Sequence, residues 1–228
     1  MKKQKQECDL KSCMYCQLCI PEWLPAINAN RQMVHIKKGE LLFKEDEIMR
    51  GIYFLYSGIV KVHKQWGQKE LIVRFAKKGD IVGHRGLGAD TIYPVSGTSL
   101  EAVTACFIPL DFFMASLKIN YEFMHRLMLF FAEELKQSER KMRNLAHMSV
   151  KGRVANSLLL LKNKFGITRE GYIDILLSRQ DLASYAGTTY ETVFRIMSDL
   201  AEQNILQVEG KKITVVNQQA LEELTHDE

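Results

Sequence analysis

The residues best able to do chemistry stand at the start of the 228-residue chain. Cys8, Cys13, Cys16 and Cys19 lie close together, and the fifth cysteine, Cys106, stands far from them in sequence. The set is odd in number, clustered and preceded by no export-type segment. A disulfide scaffold is therefore disfavoured, and metal or redox chemistry is favoured. Thiolates at Cys-x2-Cys-x2-Cys spacing are soft ligands, suited to an iron–sulfur cluster or zinc rather than to magnesium or calcium. A metal-free thiol set is the third reading. Met14 and Tyr15, between these cysteines, read as local packing. Nothing points to an enzyme: histidines number six, no triad spacing occurs, and no acidic pair recurs at helical period.

A second constellation occupies residues 178–206, SRQDLASYAGTTYETVFRIMSDLAEQNIL. Ser178 can cap a helix whose first turn holds Asp181, with Leu182, Ala183 and Ala186 facing inward. Gly187 permits a tight turn. Thr188 and Glu191 make a capping box for the next helix, which buries Val193, Ile196 and Leu200. This is the pattern of a helix-turn-helix, the alternative being a packed helical hairpin with no DNA role. On the exposed face stand Tyr190, Glu191, Phe194 and Arg195. Arg195 can donate two hydrogen bonds to guanine, and Glu191 can accept from cytosine. Equally, the two are four residues apart and could form a surface ion pair. Residues 205–216 read as two short strands joined at Gly210, Lys211 and Lys212, a wing whose lysines suit phosphate contact or a solvated turn.

The elements that must position these groups follow from composition and periodicity. The chain is 46% apolar and 25% charged with a formal charge of +4, so it is a folded protein mildly disposed to a nucleic-acid partner. Its longest purely apolar run, residues 127–132, is too short to cross a bilayer, so the expectation is a soluble cytoplasmic protein with no membrane partner. From residue 33 to 109, strand-like runs rich in β-branched and aromatic residues are broken by Gly39, Gly51, Gly58, Gly67, Gly79, Gly83 and Gly97. That pattern predicts an antiparallel barrel or sandwich. A Rossmann unit is excluded because no GxGxxG follows a strand.

Between residues 121 and 145 neither glycine nor proline interrupts a helical pattern. Met124, Met128, Phe131, Leu135, Ser138, Met142 and Leu145 recur at alternating spacings of four and three, predicting a helix that pairs with a parallel copy of itself. An amphipathic helix lying on its own domain core is the alternative. Leu127, Phe130 and Ala132 leave apolar surface outside the repeat, as expected of a helix with two apolar partners. Another helix is predicted near residues 150–165. The expected organisation is a cysteine-rich head (1–22), a β-rich sensor domain (23–119), a dimerisation helix (120–147) and a DNA-binding domain (148–228).

With these pieces in place, nearly the whole chain resembles the bacterial CRP/FNR superfamily of transcription regulators. That family carries G-x-x-x-E-T-V/I-x-R, matched here by Gly187, Glu191, Thr192, Val193 and Arg195. The resemblance implies an α+β fold: a cyclic-nucleotide-binding-like β-roll (jelly roll), a long dimerisation helix and a C-terminal winged helix-turn-helix. It implies Glu191 and Arg195 as base readers, and Ser178, Arg179, Gln180, Thr189 and Thr192 as phosphate-contacting or positioning residues. Tyr190 and Phe194 depart from the residues usual at their positions. The implied partners are an approximately palindromic double-stranded DNA operator, a second copy of the chain, and RNA polymerase.

The resemblance also bears on the signal. Cyclic-nucleotide-binding members carry a Gly-Glu pair and then an Arg-Ser pair, where this chain has Gly83-His84 and the arginine-free stretch PVSGTS at residues 94–99. A buried phosphate needs a compensating charge, so cyclic AMP is disfavoured, with Gly83, His84, Arg85 and Ser96 as the remaining effector-pocket candidates. The head is similar to the oxygen-sensing branch, with QLCIP at residues 17–21 and Cys106, Ile108 and Pro109 in a C-x-I-P segment. That likeness implies a [4Fe–4S] cluster on Cys13, Cys16, Cys19 and Cys106, with Cys8 as alternative ligand and zinc or no metal as alternatives. The last head interval is shorter than is usual in that branch. A regulator answering to oxygen or nitric oxide is the expectation. A regulator of the same fold switched by cyclic nucleotide or another small molecule is one alternative, and an iron–sulfur or zinc redox protein with no specific DNA role is another.

Overall fold

A computed structural model describes residues 13–226. The chain divides into two compact units, one up to Leu135 and one from Lys136. In the first, helices α1 (Met14–Leu18) and α2 (Leu24–Asn30) flank a 3-10 turn at Pro21–Trp23. Eight strands follow: β1 (Gln32–Ile36), β2 (Leu41–Phe43), β3 (Gly51–Ser57), β4 (Val60–Trp66), β5 (Lys69–Ala76), β6 (Ile81–Val82), β7 (Ser96–Ser99) and β8 (Val103–Pro109). They form two antiparallel sheets, ordered β1-β8-β3-β6 and β2-β7-β4-β5. This is the expected β-roll, and its core contains Phe54, Val60, Ile81, Ala105 and Ile108. Gly97 is required for close packing, since a Cβ there would come within 2.5 Å of the Phe43 ring on the paired strand.

Helix α3 (Leu110–Ile119) leads directly into α4 (Tyr121–His147). Residues 13–19 pack into the same core as the β-roll. Tyr15 is fully buried, stacked on Phe54 at 5.1 Å and edge-on to Phe123 at 5.0 Å. Its hydroxyl lies 2.5 Å from Ser116 Oγ, which also accepts from the Trp23 indole at 3.0 Å. The Ile20 amide donates to Asn120 Oδ1 at 2.8 Å. Tyr15 and Ile20 of the head, together with Trp23, are thus tied to the end of α3.

Helix α4 presents two faces. Phe123, Leu127 and Glu134 are buried, whereas Met124, Met128, Leu135 and Met142 are exposed. Phe131 is only half-buried and packs against the β-roll core, so this member of the seven-residue repeat serves the fold of its own chain as well.

The second unit continues with α5 (Val150–Phe165), α6 (Arg179–Ala186), α7 (Tyr190–Glu202), the strands β9 (Leu206–Glu209) and β10 (Lys212–Val215), and α8 (Gln218–Glu223). Val154, Leu158, Leu182, Val193, Leu200 and Leu221 are fully or almost fully buried in it. The two strands form an antiparallel hairpin with Val208 opposite Ile213.

Candidate nucleic-acid interface

Helices α6 and α7 form the helix-turn-helix. Ser178 caps α6: its hydroxyl accepts from the Asp181 amide at 3.0 Å and donates to the Asp181 carboxylate at 2.5 Å. Gly187 ends the helix at φ +66°, the left-handed region where a Cβ is costly. The cap of α7 differs from the expected Thr188–Glu191 box. Thr189 is the N-cap, accepting from the Thr192 amide at 3.3 Å, while the Thr188 amide is spent on the Ala183 carbonyl at 3.0 Å. The tight turn consumes one more residue than local pattern suggests, which shifts the cap by one position.

That shift leaves Glu191 in the first turn of α7, exposed, with its carboxyl held below the usual range by its own backbone amide and the Thr189 hydroxyl. No ion pair joins it to Arg195 among the described residues. Tyr190, Phe194 and Arg195 are exposed on the same helix, outside the buried stripe of Val193, Ile196, Met197 and Leu200. Thr192 is half-buried, and Gln180 is exposed on α6.

Arg179 donates to the Gly210 carbonyl at 2.8 Å and so ties the start of α6 to the wing tip. Lys212 lies over the Tyr172 ring at 4.8 Å, whose hydroxyl bonds Glu209 at 2.7 Å, while Lys211 is exposed. A residue absent from the sequence reading supports the turn. Arg153 on α5 donates to Ala186 O at 3.0 Å, Gly187 O at 3.4 Å and Met148 O at 2.8 Å. The Ala186 and Gly187 carbonyls lie where α6 ends and the Met148 carbonyl lies between α4 and α5, and one guanidinium bonds all three. Nothing local in the sequence marks Arg153 for this task.

Two of the effector candidates, Arg85 and Ser96, are engaged internally. Gly83 (φ +85°) opens the 3-10 turn His84–Gly86. Arg85 is paired with Glu134 of α4 at 2.7 Å, and Arg74 of β5 reaches the other carboxylate oxygen at 2.8 Å and the Ile81 carbonyl at 2.5 Å. His84 is buried between Phe130 and Phe131, its ring 5.0 and 5.5 Å from theirs, and its Nε2 stands 3.7 Å from Glu134, beyond hydrogen-bonding distance. Burial opposes ionisation of Glu134, but His84, Arg74 and Arg85 outweigh it and hold its pKa well below the usual carboxylate range. Burial pushes the His84 pKa down. Ser96 has a different partner, accepting from the Glu45 amide at 2.9 Å. Sequence reading missed Glu134 and Arg74. The available signal was a carboxylate on the same helical stripe as Phe123 and Leu127, which demands a buried cation.

Cys16, Cys19 and Cys106 are buried with Tyr15, and Cys13 is half-buried; none is in a disulfide. Burial, and then the neighbouring Cys13, pushes the Cys19 thiol up to about 12. Cys106 lies on β8 with Met33 and Phe54 as its cross-strand partners. Among the described residues, no group of three or more His, Cys, Asp or Glu side chains is arranged to hold a metal ion. Cys8 lies outside the described residues.

Residues 33–120 match the cyclic nucleotide-binding domain, and residues 152–224 match the Crp-like helix-turn-helix domain. The cAMP-activated global transcriptional regulator CRP of Escherichia coli is 31% identical over 179 residues, 76% of this chain and 84% of that protein. This chain belongs to the CRP/FNR superfamily of transcription regulators. The fumarate and nitrate reduction regulatory protein of Vibrio cholerae is 28% identical over 225 residues, 94% of this chain and 89% of that protein. The structure of FixK2 from Bradyrhizobium japonicum superposes with a TM-score of 0.77 at 25% identity, covering 87% of this chain and 98% of that one. CRP/FNR membership makes the helix-turn-helix a DNA-binding element and places the chain among regulators rather than enzymes.

Proposed function

We propose that this CRP/FNR protein is a homodimeric, sequence-specific regulator whose DNA binding answers to the redox state of its buried thiols. The observation that carries the dimer is the second face of α4. Met124, Met128, Leu135 and Met142 are exposed while the neighbouring stripe of Phe123, Leu127 and Glu134 is buried, and an apolar stripe at seven-residue repeat suits a parallel copy of the same helix. Two-fold pairing presents two α7 helices to successive major grooves, roughly 34 Å apart, and so calls for an approximately palindromic operator. In this reading Glu191 and Arg195 meet base edges, while Ser178, Gln180, Thr189, Thr192 and Lys211 lie near phosphates. RNA polymerase is the partner through which such binding alters transcription.

The redox part rests on placement. The thiols of α1 and β8 share one core with Tyr15, and Tyr15, Ile20 and Trp23 bond the last turn of α3 and the Asn120 link to α4. A change at the thiols therefore bears on the residues that launch the dimer helix. The donor chemistry suits an iron–sulfur cluster or zinc, which Cys13, Cys16, Cys19 and Cys106 would hold, with Cys8 as substitute. Such a group would supply an oxidation-labile link between head and barrel, and the head must rearrange to converge on it. A cyclic nucleotide is the weaker reading, because Glu134 already takes up Arg74 and Arg85. Anaerobic purification, analysis of iron, sulfide and zinc, and DNA shifts before and after air test the proposal. A redox-insensitive shift that Cys106→Ser leaves unchanged overturns the thiol reading.

A further inference from the structure

Tyr190 and Phe194 do nothing for the core of the DNA-binding unit. They are 45% and 57% exposed, and their rings lie parallel, 6.4 Å apart at 19°, one helical turn apart on α7. Large aromatics left in water but ordered against each other mark a contact surface. Their neighbours indicate what touches it. Glu191 and Arg195, each one position further along α7, share the exposed side, and Tyr190 is the first residue of the helix, where a helix in the major groove meets base edges. The one methyl group that base pairs present in that groove is the thymine C5-methyl, carried by A·T pairs and not by G·C pairs.

From this juxtaposition we infer that Tyr190 and Phe194 are specificity-determining residues that select thymine by its methyl group, beside the bases contacted by Glu191 and Arg195. This rests on the DNA-binding reading above and adds the base type. A phenyl ring offers no hydrogen bond to guanine, adenine or cytosine edges, so at Phe194 discrimination comes from burying the methyl against the ring. Two side chains with few rotatable bonds, already stacked, lose little freedom on contact.

The test uses the full-length chain and a duplex selected from a randomised DNA library. Thymines are replaced one at a time by deoxyuridine, which removes the methyl and leaves every hydrogen-bonding edge intact. Fluorescence anisotropy should show a loss of roughly fourfold at one or two thymines per half-site, as expected for one methyl-sized apolar group returned to water. Phe194→Gln should bind thymine and deoxyuridine duplexes alike at its position, and Tyr190→Gln should do so at the other, whereas Phe194→Leu retains the difference. Wild-type protein that binds its selected duplex tightly but ignores every deoxyuridine overturns the inference and leaves the DNA-binding reading standing. The inference also fails if Tyr190→Gln and Phe194→Gln keep the wild-type deoxyuridine profile. Absence of any sequence-selected binding overturns both readings.

Discussion

Glu134 and Arg85 form an ion pair at 2.7 Å within the sensor unit, joining α4 to the turn that follows β6. Arg74 holds the other oxygen at 2.8 Å, so one carboxylate answers two guanidiniums. This internal anion stands among the residues expected to meet a phosphate.

Removing one partner of a buried pair strands charge. Glu134→Ala should therefore destabilise the sensor unit by about 3–5 kcal/mol. Both tryptophans, Trp23 and Trp66, lie in that unit, so their fluorescence in a urea titration reports it. Unchanged unfolding would show that the two arginines are satisfied without Glu134. Calorimetric titration of the wild type with cyclic AMP should show no saturable heat.

Acid should weaken the same unit in two stages. Burial depresses the folded pKa of His84 below the ordinary histidine value of about 6.5. The unfolded chain thus takes the proton first, and stability declines as pH falls below about 6.5. Glu70 follows: despite burial, His63 and Lys61 lower it from 4.5 to about 2, so its contribution is complete above 4.5 and lost as pH falls through about 2. Glu134 shifts in the same direction. His84→Leu should remove the first stage and spare the second, as read by urea midpoints across pH.

Charge on the exposed face of α4 should separate the subunits. Leu135→Glu and Met142→Glu place carboxylates on the proposed seam while touching no buried group. Sedimentation should then show monomers, and an undiminished dimer would assign the interface elsewhere. Phe131 is a poorer probe, since it also packs beside His84 at 5.5 Å.

Two arginines should fail differently. Arg195→Ala should cost about 1–3 kcal/mol on the preferred site and flatten preference at one guanine. Arg153→Ala strips carbonyls at the turn of their donor, costing about 1–3 kcal/mol of folding stability. It should speed amide exchange around Gly187 and weaken binding to all sequences alike. Identical base-preference profiles for the two variants would contradict this division.

The Tyr15 ring and hydroxyl can be weighed separately. Tyr15→Phe keeps three aromatic contacts and leaves Ser116 bonded to Trp23 and Phe112, so it should cost about 1 kcal/mol. Tyr15→Ala should cost about 3–5 kcal/mol, because the cavity opens in the centre of the core. Thermal unfolding followed by tryptophan fluorescence distinguishes them, and equal losses would mean that the ring contributes little.

What could be read along the chain was local. Strand-like runs broken by glycines, an uninterrupted helical stretch and a capped helix pair depend on residues close together in the chain, and these determined an antiparallel barrel or sandwich, α4 and the helix-turn-helix. Even there, the α7 cap fell on Thr189 rather than Thr188, because the Thr188 amide is taken by Ala183. The rest was decided by residues that only folding brings together. Glu134 meets Arg74 and Arg85 from sixty and forty-nine positions away. Tyr15 finds Ser116 across 101 positions, which turns a residue read as local packing into the anchor of the head. Which stripe of α4 is buried was likewise settled by the barrel beside it: a helix with apolar groups on two sides offers both, and only the tertiary neighbour selects the one removed from water.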